Sequence, residues 1–215
     1  MKLLKTGIAG LDELLRGGLP PKVLLLVGDP GSGVEVFVQQ IAYKRAQQTS
    51  VSYITLNKPI EQIREEMSVF GFDTVKLEKN GNWRFISPSP RKIGEIIEGE
   101  LCEKRSIVID SLSDTLVKGE IDESISLLRN MSKLNRQVQE LHFVLLTKSM
   151  HDPKDEVALQ HFADGIIEFT TTHGTEYISR RMFIKKLGGV VTPTRSFSYT
   201  IGEKGILIET AMRIA

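Results

Sequence analysis

The sequence has a single cysteine, no long apolar run and almost no excess of either charge. With Cys102 as its one thiol, the chain forms no intramolecular disulfide and no zinc site made of cysteines alone. Its longest strongly apolar run, Val23 to Val27, is far too short to span a bilayer, and the residues after Met1 lack the apolar stretch of a secretory signal. A balance of 28 basic against 27 acidic residues argues against binding to nucleic acid or a membrane through bulk positive charge. We therefore expect a cytoplasmic protein with a sizeable core and no membrane partner.

Short apolar runs alternate along the chain with longer segments of helical period. The apolar runs are typical of strands buried on both faces of a parallel sheet, and they lie at 23–27, 51–56, 83–86, 106–110, 141–146 and 165–170. Apolar residues at helical spacing predict helices at 34–48, 60–70, 91–104, 123–140 and 157–162. Glycine turns then separate β segments at 176–187, 196–201 and 205–209. The pattern predicts an α/β fold with a mostly parallel central sheet flanked by helices and an antiparallel, β-rich C-terminal edge.

The loop after the first predicted strand is close to a phosphate-binding loop. A working loop reads G-x-x-x-x-G-K-[ST], and here the residues are Gly28-Asp29-Pro30-Gly31-Ser32-Gly33-Val34-Glu35. Both glycine positions are kept, and the loop lies between a strand and a helix, as phosphate binding requires. However, Val34 replaces the lysine that neutralises the phosphates, and Glu35 replaces the hydroxyl that contacts Mg²⁺. One positive charge is lost and one negative charge is gained.

These charges leave two interpretations of the loop. In the interpretation that we favour, the loop is a retained structural turn with nothing bound. Reversing an interaction between unit charges at about 4 Å changes the electrostatic energy of a bound phosphate by about 4 kcal/mol or more at an intermediate dielectric. In the alternative, the loop still binds nucleotide weakly, and Glu35 helps to hold a metal ion.

Four segments resemble the KaiC-like branch of the RecA ATPases. Residues Thr6 to Pro20 look like the family's opening segment, T-G-I-x-G-x-D-x-L-x-x-G-G-x-P, and stand directly before the first strand. The run Ile109-Asp110-Ser111-Leu112 resembles a Walker B strand with its following serine. Ala163 to Ile167 resembles the family's A-D-G-I-I motif, and Glu61 to Asp73 resembles its second helix and the turn after it. The resemblance implies ancestral ATP chemistry and a ring or filament.

The resemblance also implies one RecA-like P-loop NTPase domain over residues 1–215. Within it we expect a family-type opening segment at 1–22, an α/β core at 23–170 and a β-hairpin tail at 171–215.

The departures from the family pattern are spread over several parts of its catalytic machinery. After the second strand the family carries a pair of acids, one of which polarises water, but here the residues are Leu56-Asn57-Lys58-Pro59. Near the C-terminus the family's K-x-R-G finger reaches a neighbouring subunit's nucleotide, but Lys186-Leu187-Gly188-Gly189 keeps only the lysine. Loss of a general base alone typically costs a factor of about 10²–10⁴ in rate. We therefore predict degenerate catalytic motifs, no catalytic residues and no ordinary ATPase turnover.

Several single residues keep two interpretations. Asp110 either attracts Mg²⁺ or caps the next turn. Lys58 and Lys148 follow strands on the presumed ligand edge, where each is either a substitute for the missing lysine or, as we favour, an ordinary solvated charge. The four histidines, His142, His151, His161 and His173, do not have the spacing of a metal set, so we expect no metal site. Cys102 is predicted to be a packing residue.

The most basic stretch runs from Arg180 to Lys186. As a strand it places Arg180, Met182, Ile184 and Lys186 on one face and Arg181, Phe183 and Lys185 on the other. The favoured interpretation is an edge strand protected by charge against aggregation. Contact with an acidic neighbour in an assembly comes second, and contact with nucleic acid third.

The leading functional hypothesis is a non-catalytic pseudo-ATPase of KaiC-like type that acts as a regulatory or architectural subunit. It requires no cofactor and works through a protein partner or through self-association. The first alternative is a KaiC-like signalling or assembly protein that binds ATP or ADP with Mg²⁺ through an altered phosphate loop. The second alternative is an accessory protein of DNA recombination or repair, which the near-neutral charge weakens.

Overall fold

The computed structural model describes residues 2–89, 92–119 and 121–209, and in it the strands form one nine-stranded sheet. The strands in chain order are β1 (Val23–Gly28), β2 (Val51–Thr55), β3 (Trp83–Ile86), β4 (Ser106–Asp110), β5 (His142–Thr147), β6 (Gly165–His173), β7 (Ile178–Leu187), β8 (Phe197–Gly202) and β9 (Gly205–Ile208). Their order across the sheet is β3-β2-β4-β5-β1-β6-β7-β8-β9. Strands from β3 to β6 pair in parallel, and β7, β8 and β9 pair antiparallel. The predicted fold class is confirmed.

Helices cover both faces of the parallel part of the sheet. They are α1 (Leu11–Leu14), α2 (Val34–Ala46), α3 (Ile60–Val69), α4 (Val75–Lys79), α5 (Ile93–Cys102), α6 (Ser113–Lys118), α7 (Ile121–Val138) and α8 (Pro153–Phe162). The sequence pattern missed α1, α4 and α6, because helices this short do not show a period. The predicted start of α5 at Arg91 lies outside the described residues.

The apolar run of β1 is explained by two core layers. Leu24 and Leu26 belong to the layer under α2 and α3, whereas Val23, Leu25 and Val27 belong to the layer under α5, α7 and α8. All five side chains are almost completely buried, as expected for a strand covered on both faces. Because parallel strands end at one edge, the sheet brings the residues after β1, β2, β4 and β5 together there.

The opening segment folds into a turn against the start of β1. The Asp12 carboxylate accepts hydrogen bonds from the backbone N–H of Thr6 at 2.7 Å and from its hydroxyl at 2.8 Å. Leu4 and Leu19 exchange two backbone hydrogen bonds. Gly18 has a φ of 125°, and a Cβ there would lie 2.1 Å from the Leu4 carbonyl oxygen, so only glycine fits. The family-like residues here are therefore explained by backbone geometry. The division into 1–22, 23–170 and 171–215 stays a prediction.

A buried ion network ties α5 to the amino ends of β2, β3 and β4. Glu100 is 7% exposed and accepts hydrogen bonds from Arg84 at 2.6 Å and from the Ser52 hydroxyl. Its carboxylate also lies 3.3 Å from the Nε of Arg105, which is 4% exposed. Arg105 donates in addition to the backbone carbonyls of Gly81 and Val51. Removing the carboxylate would leave a buried guanidinium without its counter-charge.

We therefore expect Glu100→Ala to lower the free energy of unfolding by about 3 kcal/mol, since an unpaired buried charge is strongly destabilising. Urea denaturation checks this. The matched control is Glu65→Ala on α3, where the side chain is exposed and the change should stay within about 0.5 kcal/mol. Equal effects of the two substitutions would contradict this account of the network.

Candidate functional site

The phosphate-like loop joins the end of β1 to the first turn of α2. Gly31 and Gly33 have φ angles of 78° and 80°, a conformation that favours glycine. A Cβ on Gly28 would lie 2.8 Å from Cγ1 of Val34 and 2.9 Å from Oγ of Ser32. The loop thus keeps the strand, glycine turn and helix start that the sequence predicted, and the first N–H groups of α2 have no partner within the helix.

The lysine position of the working pattern holds a buried apolar side chain. Val34 is 6% exposed and packs into the core layer under α2. Glu35, in the first turn of the same helix, is only partly buried. The strand-end side of α2 therefore presents one carboxylate, and this sequence position supplies no cation.

Strands β6, β7 and β8 hold the loop from one side. The backbone N–H of Asp29 donates to the Phe169 carbonyl at 3.0 Å, and the Asp29 carboxylate accepts from the backbone N–H of Thr171 at 2.9 Å. The Tyr199 hydroxyl donates to the Ser32 carbonyl at 2.6 Å. In addition, Arg180 donates from Nε to the Gly31 carbonyl at 3.3 Å.

Side-chain packing adds to this support. A Cβ on Gly33 would lie 2.3 Å from Cδ1 of Ile201, so the side chain of Ile201 on β8 approaches the loop closely. Pro30 lies at the exposed tip of the loop, whereas Ser32 is fully buried and its Oγ has no hydrogen-bond partner among the described residues. The loop is therefore a supported turn with a fixed path.

Asp110 lies at the end of β4, 5% exposed, on the same edge as the loop. Its carboxylate accepts a hydrogen bond of 2.6 Å from the hydroxyl of Tyr53, a fully buried residue of β2. Burial raises the pKa of Asp110 to about 6, the Tyr53 hydrogen bond opposes this shift, and the negative charge of Glu35 raises the pKa further. The charge of Lys58 acts in the opposite direction to that of Glu35. Glu35 and Asp110, the two acids predicted at this site, are therefore close enough for the charge of Glu35 to act on Asp110.

Both lysines considered as substitutes for the missing one are paired with glutamates. Lys58 contacts Glu66 at 2.9 Å; burial lowers its pKa, but the interactions with Glu66 outweigh burial and raise it overall. Lys148 contacts Glu168 at 2.5 Å and lies 3.8 Å from Asp29. The hydrogen bond to Glu168 raises the pKa of Lys148. Neither lysine is the ordinary solvated charge that we favoured from the sequence, because each has a specific carboxylate partner.

Two residues at this edge, Glu168 and Tyr53, were not predicted from the sequence. Glu168, 8% exposed on β6, bridges Lys148 and Lys185. Tyr53 hydrogen-bonds Asp110 from the neighbouring strand. The one available signal was an acid within the apolar run of β6, which indicates a paired carboxylate.

Lys186 lies near the other end of the strands from the phosphate-like loop. It pairs with Ile166 at the start of β6, whereas Gly28 pairs with Phe169 further along the same strand. Its ammonium donates to the carbonyls of His161 at 2.9 Å and Ala163 at 2.6 Å, at the C-terminal end of α8. A role as an inter-subunit finger stays a prediction, and within one chain Lys186 caps this helix.

The predicted face alternation of the basic segment agrees with the structure from Arg180 to Ile184. It is wrong for Lys186, because a register shift in β7 pairs Ile184 with Ile167 but Lys186 with Ile166, which moves Lys186 to the other face of the sheet. Met182 and Ile184 are buried, while Arg181, Phe183 and Lys185 are exposed. The interpretation as an edge strand is wrong, however, because β7 lies between β6 and β8. A charged strand pattern does not reveal whether another strand follows it in the sheet.

The packing role predicted for Cys102 is also wrong. The thiol is exposed, because the buried positions of α5 are Ile97, Glu100 and Leu101 and the next residue falls on the outer face of the helix. Among the histidines, His142 is fully buried and contacts the Ile107 N–H and Asn135, and burial lowers its pKa to about 3. Over residues 2–89, 92–119 and 121–209, no three side chains of the metal-binding types gather to hold an ion.

The comparisons with known proteins agree with the architecture. The family model described as "ATPase: KaiC" matches residues 4–212. A UPF0273 protein of Methanocaldococcus jannaschii is 27% identical over 97% of this chain and 96% of its own length. The circadian clock protein KaiC3 of Synechocystis is 26% identical over 95% of this chain and 45% of its own length.

A solved structure gives the same result for the fold. The crystal structure of a KaiC-like protein from Pyrococcus horikoshii superposes with a TM-score of 0.83 at 23% identity, covering 96% of this chain and 98% of that one. In the part of the chain that the structure describes, no helix combines the length and the apolar character needed to cross a membrane. The match over residues 4–212 shows that this chain belongs to the KaiC ATPase family.

Proposed function

We propose that this chain is a non-catalytic member of the KaiC family that acts as a regulatory or architectural subunit. The observation that carries the proposal is the pair of residues at the start of α2. Val34 is buried at the lysine position, and Glu35 stands at the hydroxyl position, where its negative charge raises the pKa of Asp110. A triphosphate at this loop would meet two carboxylates and no lysine from the loop.

The charges around the loop differ in how strongly they act on a bound phosphate. A helix N-terminus contributes the equivalent of roughly half a positive charge to a bound anion, and a glutamate in its first turn offsets that charge. A unit charge at about 4 Å contributes about 4 kcal/mol at an intermediate dielectric, so exchanging lysine for a neutral residue and adding Glu35 outweighs the helix dipole. The backbone N–H groups of the loop are then insufficient for tight binding.

The residues at the family's catalytic-acid positions after β2 also support a non-catalytic role. After β2 the chain supplies Asn57 and Lys58, and Lys58 is engaged by Glu66 rather than by a reaction centre. Phosphoryl transfer depends on positioning and on charge stabilisation, and each of these needs groups that this sequence replaces.

A second candidate, nucleotide binding without turnover, is favoured by two observations. The loop keeps its path, with Gly31 and Gly33 at positive φ, and Lys148 lies 3.8 Å from Asp29 beside it. In this candidate, the backbone N–H groups and Lys148 would hold the phosphates of ATP or ADP, and Asp110 would hold Mg²⁺. It requires Lys148 to exchange Glu168 for phosphate.

No observation favours the DNA accessory hypothesis. Of the basic residues on β7, Arg180 donates to Gly31, Lys185 pairs with Glu168 and Lys186 caps α8. The cytoplasmic location stays a prediction.

We expect calorimetric titration of the native protein with MgATP to show no binding with a Kd below about 1 mM, a threshold equivalent to about 4 kcal/mol. The variant Val34→Lys with Glu35→Thr restores the working pattern and should gain binding if the loop path is otherwise suitable. Absence of binding in both proteins would also support the proposal, since the loop would then lack the shape as well as the charge that nucleotide binding needs. Submillimolar binding by the native protein would contradict the electrostatic account and favour the second candidate.

Burial of Asp110 makes the stability of the protein depend on pH. The Asp110 pKa of about 6 exceeds the ordinary value of 3.8, so the folded protein retains a proton that the unfolded chain has lost between these pH values. The stabilisation linked to that proton is therefore present at low pH and is lost as the pH rises through 6.

We expect Asp110→Asn to raise the free energy of unfolding at pH 7.5 by roughly 1–3 kcal/mol, with the gain shrinking toward pH 5. Asparagine still accepts the Tyr53 hydroxyl, which isolates the effect of charge. Asp73→Asn is the control, because Asp73 is exposed and, among the described residues, its carboxylate accepts only from the Val75 N–H at 3.0 Å. A destabilised Asp110→Asn at pH 7.5, measured by urea unfolding, would show that the ionised carboxylate has a favourable role in the fold.

A further inference from the structure

Glu168 is a buried carboxylate close to the phosphate-like loop. Its side chain is 8% exposed, and strand pairing sets it level with Val27, the residue before the first glycine of the loop. Charged side chains this deeply buried are almost always paired. Glu168 contacts two ammonium groups, that of Lys148 at 2.5 Å and that of Lys185. Burial raises the pKa of Glu168, but the hydrogen bonds from both lysines outweigh burial and lower it overall, so the carboxylate is ionised at neutral pH.

Of these two lysines, Lys148 is the one beside the loop. It directly follows β5, and its backbone N–H donates to the carbonyl of Gly28 at 2.9 Å. Its ammonium lies 3.8 Å from the carboxylate of Asp29, the second residue of the loop. Lys185 lies on β7, which β6 separates from β1. A lysine ammonium is a compact charge on a flexible four-carbon stem, so Lys148 can turn from Glu168 to an anion at the loop without a change in the backbone.

Lys148 therefore has two possible anionic partners, one inside the fold and one that a ligand would bring. Glu168 is held in place by β6, so it contacts the ammonium without the loss of translational freedom that binding of a dissolved anion costs. Asp29 adds a second negative charge near Lys148. The two lysines and the two acids of this cluster then sum to zero charge, which leaves no excess positive charge for a phosphate group.

We propose that Glu168 is an autoinhibitory contact, a carboxylate that occupies Lys148 and so keeps it from a diphosphate or triphosphate group at the loop. The role of Glu168 rests on the proposed function, in which the native loop binds no nucleotide tightly. It adds a second cause of that behaviour to the residues at the start of α2.

The other lysine–glutamate pair at this edge provides a matched comparison. Lys58 contacts Glu66 on α3, but it follows β2, which β4 and β5 separate from β1. The negative charges of Asp110 and Glu35 also act on its ammonium. Loss of Glu66 would therefore leave Lys58 among other carboxylates and away from the loop.

Calorimetric titration with inorganic pyrophosphate tests the role of Glu168. We expect the native protein to show no binding with a Kd below about 1 mM. Glu168→Gln keeps the shape of the side chain and removes its charge, so it should bind pyrophosphate at least tenfold more tightly than the native protein. Glu66→Gln makes the same change of charge in the comparison pair, and it should bind no better than the native protein.

Two double variants keep the experiment decisive if Glu168→Gln alone does not fold. Glu168→Gln with Lys185→Met removes one charge of each sign, which preserves the charge balance of the cluster, and it still frees Lys148. It should bind pyrophosphate as the single variant does. Glu168→Gln with Lys148→Met has the same net charge but lacks the lysine beside the loop, so it should bind no better than the native protein. Circular dichroism checks that each variant is folded.

Parallel titrations with ADP separate the two sources of a diphosphate group. Tighter binding of ADP than of pyrophosphate to the variants that free Lys148 assigns the contact to the phosphates of a nucleotide, and the reverse order assigns it to the free anion. Either order supports the role of Glu168, because both need the released lysine.

Four results would overturn the role of Glu168. The first is submillimolar binding of pyrophosphate by the native protein, since the contact would then not inhibit. The second is that the variants that free Lys148 bind no better than the native protein. The third is equal binding by the two double variants, and the fourth is a gain in Glu66→Gln as large as that in Glu168→Gln.

The proposed function fails on a different observation, which is submillimolar binding of MgATP by the native protein. If the native protein binds no MgATP and the variants that free Lys148 gain nothing, the role of Glu168 is wrong and the proposed function stands.

Discussion

The parallel pairing of β1 with β5 and β6 fixes where every group of the candidate site lies. It sets Gly28 level with Thr147 and Phe169, so the loop after β1 emerges between the residues that follow β5 and the second half of β6. Pairing of β2 with β4 aligns Thr55 with Asp110 at the same edge. Strand register therefore determines which residues meet at this edge, and the side chains at those positions determine the chemistry of the site.

What distinguishes this edge is that its lysines are paired with carboxylates of the same chain. Lys58 is held by Glu66, and Lys148 and Lys185 share Glu168. The Asp110 carboxylate accepts a hydrogen bond from the Tyr53 hydroxyl. A nucleotide site needs cations that remain available to phosphate, whereas here the nearby lysines have carboxylate partners. The family fold is retained, and we infer that its chemistry is not.

Much of the fold and part of the candidate site could be predicted from the sequence. The apolar run of β1, the glycines of the loop and the acid that ends β4 are local patterns, and each one lies where it was expected. The hydrogen bond from Tyr53 to Asp110 joins residues 57 positions apart, and no local pattern encodes it. The same limit explains β7, since its charges resemble those of an edge strand while β8 and β9 continue the sheet. For Cys102 the error was one of helical phase, which depends on which face the neighbouring helix covers.

The most direct test of the central claim is a single-turnover measurement of phosphate release, with the protein in excess over MgATP. Because the loop lacks its lysine and no carboxylate base follows β2, we expect phosphate to appear no faster than in buffer alone. Release that depends on the native protein and disappears in Asp110→Asn would contradict the account, because it would show that this edge of the sheet still positions a metal ion and a phosphate for reaction.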